Sequence, residues 1–237
     1  MNDVSSEKGP AWAGFDWTPE RYEDLIGRIM PGYGEQEVLI TGALREAEPP
    51  NGQGPFRILE LGAGTGTLSR YLLKTFPRGN LTALDISPLM VETCVQVLAP
   101  FGSRALVLQT DFAGAELGSG YHAVVSRLAI HHLEDGAKRA LFGRVAKALL
   151  PGGVFVISDL VVGETEAETE AMLAEWRDCM RAQGDDPAEL AQWLVGGDDV
   201  PSPTSSLIEW LLEAGFLDAR VIWQRANFAT LRAVKAP

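Results

Sequence analysis

The chain is short of several things. None of its apolar runs reaches the ~18 residues that a membrane-spanning helix needs, so no span is expected. Its 237 residues include 2 cysteines and 3 histidines. Cys94 and Cys179 sit in helical patterns without metal or redox spacing, which excludes a disulfide scaffold and points to a reduced, cytoplasmic protein. The opening M-N-D-V-S-S-E-K-G-P carries no apolar leader segment. Basic residues are outnumbered, 20 against 32 acidic, for a formal net charge of −12. Nucleic-acid binders cover phosphates with Lys and Arg, so a nucleic-acid partner is disfavoured.

What is present centres on residues 56–70, F-R-I-L-E-L-G-A-G-T-G-T-L-S-R. Ile58, Leu59 and Leu61 read as a buried parallel strand. Gly62, Gly64 and Gly66 interrupt it, and Leu68, Leu72 and Leu73 recur at helical spacing. Strand, glycine turn and helix together form a nucleotide-cofactor loop. The dinucleotide fingerprint G-x-G-x-x-G is not met, which disfavours a pyrophosphate cofactor and a nicotinamide oxidoreductase. Glu60, just before the loop, suits a ligand with a cationic end.

Downstream, apolar runs end in Asp85 and again at Asp111-Phe112. Asp85 stands about 20 residues beyond the loop, where a ribose-binding acid belongs. These residues resemble the class I S-adenosylmethionine-dependent methyltransferases from about Phe56 to Asp159. The resemblance implies a Rossmann-like α/β fold with a seven-stranded mixed sheet. Most strands would be parallel, and an antiparallel last strand would insert beside the fifth. It also implies S-adenosyl-L-methionine as cofactor and a small-molecule methyl acceptor as partner. A homodimer is compatible with it.

The chain reads as a single domain. Residues 1–50 form an arm and a helical lid, with Trp12, Phe15 and Trp17 read as a flap over the site. Residues 56–160 form the cofactor core. Residues 164–200 form an inserted lid, with a capping box at Thr165/Glu168. Residues 204–235 form a last helix, capped at Ser206/Glu209, and a hairpin around Arg225-Ala-Asn.

The resemblance assigns roles. Glu60 and the backbone of Gly62, Ala63 and Gly64 would hold the amino-acid end. Gly66 would permit close helix–strand packing. Asp85 would hold the ribose, and Asp111 with Phe112 would read the adenine edge. Ile86 and Met90 would sandwich the ring, while Arg127 and Leu128 would line the sulfonium. Tyr33, in the Met30-Pro-Gly-Tyr turn, would contact the cofactor. His131 and His132 follow the fourth strand, and His131 is the candidate base. Asp159, Trp176, Arg177 and Met180 are candidate substrate residues, with His131. No metal is expected, because adjacent histidines point apart and no third ligand is in view.

The Pro-Gly-Tyr turn, His131-His-Leu-Glu-Asp and Phe228-Ala-Thr-Leu resemble one branch of these enzymes. That branch includes the carboxy-S-adenosylmethionine synthases, which serve a tRNA-modification pathway and hold an extra carboxylate with a lid arginine. No arginine lies between Arg181 and Arg220 here. A buried carboxylate without a cation is costly, so plain methyl transfer to O, N or C is the favoured expectation. A non-catalytic cofactor-binding module is the alternative outside enzymes.

Overall fold

The computed structural model describes residues 19–50, 53–194 and 199–237. The aromatic flap and residues 196–198 of the lid loop lie outside them. Two helices come first, α1 (Pro19–Ile29) and α2 (Tyr33–Arg45). The core then alternates β1 (Phe56–Leu61), α3 (Thr67–Thr75), β2 (Gly79–Asp85), α4 (Pro88–Leu98), β3 (Ala105–Gln109), β4 (Tyr121–Arg127), α5 (Asp135–Ala148) and β5 (Leu149–Val162). The lid helices α6 (Glu166–Gln183) and α7 (Pro187–Leu194) follow. After them come β6 (Ser202–Pro203), α8 (Thr204–Glu213), β7 (Phe216–Arg225) and β8 (Phe228–Lys235).

The main sheet has the order β3-β2-β1-β4-β5-β8-β7. β1 to β5 pair in parallel, and β8 inserts antiparallel between β5 and β7, as expected. The short β6 is an addition, pairing with the end of β5 at Val161 and Val162. The chain winds outward through β2 and β3, then returns to place β4 beside β1. That reversal is the switch point, where ligands bind at the C-terminal ends of the strands.

The strands are apolar on both faces because helices cover both. Ile58, Ala83, Val125 and Val156 pack under α2, α3 and α4 with Leu44, Leu72 and Cys94. Leu59, Val124 and Ile157 face α5 and α8 through Leu141, Phe142 and Leu211. A third cluster joins α1 to the lid through Leu25, Ile29, Trp176, Met180 and Leu190. Each large side chain so buried is worth about 1.5–3 kcal/mol. No helix among the described residues is long and apolar enough to cross a membrane.

Two turn readings are corrected. Ser206 and Glu209 do not form a capping box, because α8 begins at Thr204 and places both inside the helix. The hairpin turn holds Ala226 and Asn227 alone, since Arg225 still pairs with Phe228. The box at α6 is half as read: Thr165 Oγ1 accepts from the Glu168 amide at 3.2 Å, but the Glu168 carboxylate turns to the Glu164 amide.

Candidate active site

The loop after β1 is built on left-handed backbone. Gly62, Gly64 and Gly66 have φ of 72°, 54° and 84°. A Cβ on Gly62 would lie 2.3 Å from Ala129 Cβ, so glycine lets the β1 and β4 loops touch. A Cβ on Gly66 would lie 2.8 Å from Cys94 Sγ. Gly66 therefore permits packing of α3 on α4, rather than on a strand as the sequence suggested. At Gly64 the nearest atom is Tyr22 Cε1, 3.9 Å away. A side chain there would fill the cradle beneath α1.

Four amides of this loop are already spent. Gly62 and Ala63 both donate to Leu84 O at 2.9 Å, and Gly66 donates to Ala63 O. Gly64 donates to Asp85 Oδ2 at 2.7 Å. A phosphate-binding loop needs free N–H groups, and these four are satisfied within the protein. The loop therefore suits a ligand whose nearby end is cationic.

Acids supply the complement. Glu60 is 1 % exposed and accepts from the Ser69 hydroxyl. Burial pushes its carboxyl up to about 7, against the opposing pull of Ser69 and Arg127. Asp85 also accepts from the Ser87 amide, at 2.9 Å. Burial raises its pKa above the usual carboxylate range, although those amides oppose the shift.

Arg127 closes the far end of this row. Its side chain is 9 % exposed and donates through Nη2 to the Tyr33 hydroxyl at 2.8 Å, with its guanidinium 4.5 Å from the centre of the Tyr33 ring. Nη1 has no hydrogen-bond acceptor, because Glu37 Oε1 stands 3.7 Å away. An orphaned donor of this kind costs free energy unless a ligand meets it, and a carboxylate is the natural partner. Glu60, Arg127 and Asp85 thus fit an amino-acid zwitterion followed by a ribose.

Residues beyond the predicted set complete this side. Thr65 and Thr67 both donate to Glu23, which ties α1 onto the glycine loop. Tyr22, on the same helix, lies over Gly64. Burial raises its phenol pKa, with Arg127 opposing. In the sequence Tyr22 reads as one more apolar position of an amphipathic helix, so nothing local marks it. Phe112 is buried with its ring beside Gly62. Asp111 is exposed and caps its own turn at the Ala113 amide. Ile86 is exposed and Met90 half-buried on the same rim.

The other side of the rim begins at Leu128, a non-glycine residue at φ 53°. Backbone in that region is strained and recurs at functional sites. His131 and His132 follow in a short 3₁₀ turn (Ile130–His132). His131 is buried, with Nδ1 hydrogen-bonded to Asp159 Oδ1. Asp159 Oδ2 accepts from the Ile130 and His131 amides at 2.9 and 3.1 Å. Burial would push the imidazole pKa down, but the Asp159 charge and hydrogen bond outweigh it and hold it above its ordinary value. Asp159 is held below its own, since His131 outweighs the opposing effect of burial.

The lid residues differ from expectation. Trp176 is 1 % exposed and spends its indole N–H on Ile29 O at 2.8 Å. Met180 is wholly buried in the same cluster. Both therefore lock α6 to α1 instead of facing a substrate. Arg177 pairs with Glu170 in a partly exposed ion pair on the surface of α6. The lid's contribution to the rim is Asp199, whose Oδ1 lies 2.7 Å from His132 Nδ1. The two histidine rings do not point apart; their centres are 4.0 Å from each other. An aspartate in a Gly-Gly-Asp-Asp loop carries no sequence mark of that destination.

Comparison with known proteins agrees with this geometry. Residues 58–153 match the protein family described as a methyltransferase domain. The chain is 26 % identical over 216 residues to a carboxy-S-adenosyl-L-methionine synthase of Nautilia profundicola, covering 90 % of each chain. It is 29 % identical over 230 residues to the synthase of that name from Klebsiella pneumoniae, covering 93 % of this chain and 92 % of the relative. Among solved structures, a Haemonchus contortus phosphoethanolamine N-methyltransferase 2 in complex with S-adenosyl-L-methionine superposes with a TM-score of 0.68 at 17 % identity. That match covers 98 % of this chain but 61 % of the other, so this chain spans about three fifths of its length. Residues 58–153 therefore match a methyltransferase domain, and over nine tenths of its length the chain is similar to the carboxy-S-adenosyl-L-methionine synthases, on a fold shared with solved S-adenosylmethionine-dependent methyltransferases.

Proposed function

We propose that the protein transfers the methyl group of S-adenosyl-L-methionine to an O, N or C atom of a small molecule, such as a specialised metabolite. The observation that carries this reading is the rim: a loop with four of its amides spent, an acid at each of two strand ends, and a largely buried arginine with one nitrogen that has no hydrogen-bond acceptor. When bound, the cofactor supplies an activated methyl group, and the chain's own residues align the acceptor and exclude water. Glu60 and Arg127 would hold the two charged ends of the amino-acid portion, and Asp85 the ribose. His131, oriented by Asp159, would serve as the base that takes the acceptor's proton. The excess of acidic groups favours a neutral or cationic acceptor over a polyanion.

A second reading has a specific observation behind it. The relatives are named carboxy-S-adenosyl-L-methionine synthases, and they align over nine tenths of this chain. No arginine lies between Arg181 and Arg220, yet Arg127 offers a largely buried cation from β4. A carboxylate on the modified cofactor could be neutralised there, with a tRNA-modification pathway downstream. Methyl transfer remains the favoured reading, since the unmodified cofactor already carries a carboxylate for Arg127.

Mass spectrometry of the ligand that copurifies separates the two. Retained S-adenosylmethionine or its demethylated product supports methyl transfer, to be followed by an acceptor screen with methyl-deuterated cofactor. A retained carboxylated cofactor selects the second reading. Failure to bind added S-adenosylmethionine rejects both.

A further inference from the structure

The 3₁₀ turn after β4 and the return of the lid bring three metal-ligating side chains together. Asp199 Oδ1 lies 3.7 Å from His131 Nε2 and 2.7 Å from His132 Nδ1. One donor atom from each residue falls within 4.8 Å of the others. Proximity alone would describe a surface hydrogen bond. Two further features describe a supported site.

First, His131 has its other ring nitrogen fixed. Nδ1 is bonded to Asp159, a buried carboxylate itself held by three backbone amides. This leaves Nε2 as the donor atom facing Asp199. A carboxylate behind the distal nitrogen is the outer-shell arrangement that orients metal-bound histidines and raises their basicity.

Second, Asp199 is held by its neighbour. The Val200 amide donates to His131 O at 2.7 Å. Val200 O accepts from Lys138 Nζ, whose side chain is 1 % exposed. Lys138 also donates to Ser202 Oγ at 2.6 Å and to Asp135 at 3.2 Å. The lid is thus pinned to the core one residue past its carboxylate, so that carboxylate is presented from fixed backbone.

We infer that His131, His132 and Asp199 bind a divalent first-row metal ion of the Zn(II), Co(II), Ni(II) class, through Nε2, Nδ1 and a carboxylate oxygen. Two imidazoles and one carboxylate suit these ions and not calcium or magnesium, which take oxygen ligands. Bonds of about 2.0–2.2 Å require the donors to draw together. His132 is half exposed and can move toward the fixed pair. Three protein ligands leave a coordination position for water or an acceptor atom, the pattern of reactive rather than closed structural sites. With the ion bound, His131 Nε2 is a ligand, and the metal instead of the free imidazole would polarise an acceptor group.

The test uses the full chain without a histidine tag, stripped by chelator, and titrated calorimetrically with Zn(II) chloride and with Co(II) chloride. The Co(II) complex is also followed by visible absorption. The expected result is a single ion per chain with the absorption bands of a four-coordinate Co(II) site. His132→Ala and Asp199→Ala should each weaken binding by at least about tenfold, since even outer-shell partners cost 10–100-fold. Asp159→Asn should weaken it as well. Thermal melting checks that the variants fold, and a parallel titration with S-adenosylmethionine keeps the metal result separate from the cofactor reading. Absence of stoichiometric binding overturns the inference, as does binding by folded His132→Ala and Asp199→Ala at wild-type strength.

Discussion

The Gly64 amide and the Asp85 carboxylate are joined directly, N to Oδ2, at 2.7 Å. The glycine loop and the acid one strand over therefore form one unit before any ligand arrives. Asp85→Ala should remove both the ribose acceptor and this tie. Cofactor affinity should fall by about 1–3 kcal/mol, the scale of a hydrogen bond to a charged group. Calorimetry with S-adenosylmethionine measures it, and unchanged affinity would reject the role.

The glycines should separate folding from binding. Gly62→Ala places a Cβ 2.3 Å from Ala129 Cβ at positive φ, so the β1 and β4 loops must part. A cost of about 1–3 kcal/mol in stability is expected. Gly64→Ala meets nothing closer than 3.9 Å. It should cost about 1–2 kcal/mol of left-handed strain but weaken cofactor binding more than Gly62→Ala does relative to its loss of stability. Paired melting and binding measurements decide this; equal ratios for the two variants would refute it.

Arg127 should show the reverse balance. Its Nη1 has no hydrogen-bond acceptor and meets Glu37 only at 3.7 Å. Arg127→Met removes the Tyr33 hydrogen bond and leaves Glu37 without its ion-pair partner, so some loss of Tm is expected, but cofactor affinity should fall by more than stability does. A large loss of Tm with normal binding would assign Arg127 to the fold through Tyr33 and Glu37.

Glu60 gives the pH dependence. Its folded pKa is raised to about 7 by burial, above the ~4.3 of an unfolded glutamate. The folded free protein therefore holds this proton more tightly than the unfolded chain. Its contribution to stability is present below the unfolded value and declines as pH rises toward 7. Cofactor binding has the opposite sign, since an ammonium group favours the ionised carboxylate. Affinity for S-adenosylmethionine should weaken as pH falls below about 7, and Glu60→Gln should flatten that limb. A parallel pH profile in the variant would remove Glu60 as the cause.

Much of the site was legible because it is local in sequence. Residues 56–70 encode a strand, a turn and a helix within one short run, and a rigid sheet fixes what lies at its C-terminal edge. Asp85 follows by the same logic, one βα unit further on. Ser206 was misread because a capping box is a pattern of residue types, and the backbone began the helix at Thr204. Trp176 and Met180 were read as pocket residues because an amphipathic stripe does not say what it packs against. Their partner is α1, some 150 residues earlier, with Trp176 bonded to Ile29 O.

The amino-acid sequence by itself determined the class of sheet, the glycine bend and the acids at strand ends, since each depends on residues within a few positions of one another. Only the tertiary structure decided which amides the loop keeps for itself, that Arg127 has a nitrogen to offer, and that Asp199 meets His131 and His132. Those facts rest on pairs separated by tens of residues, and chain folding rather than local pattern sets the distance between them.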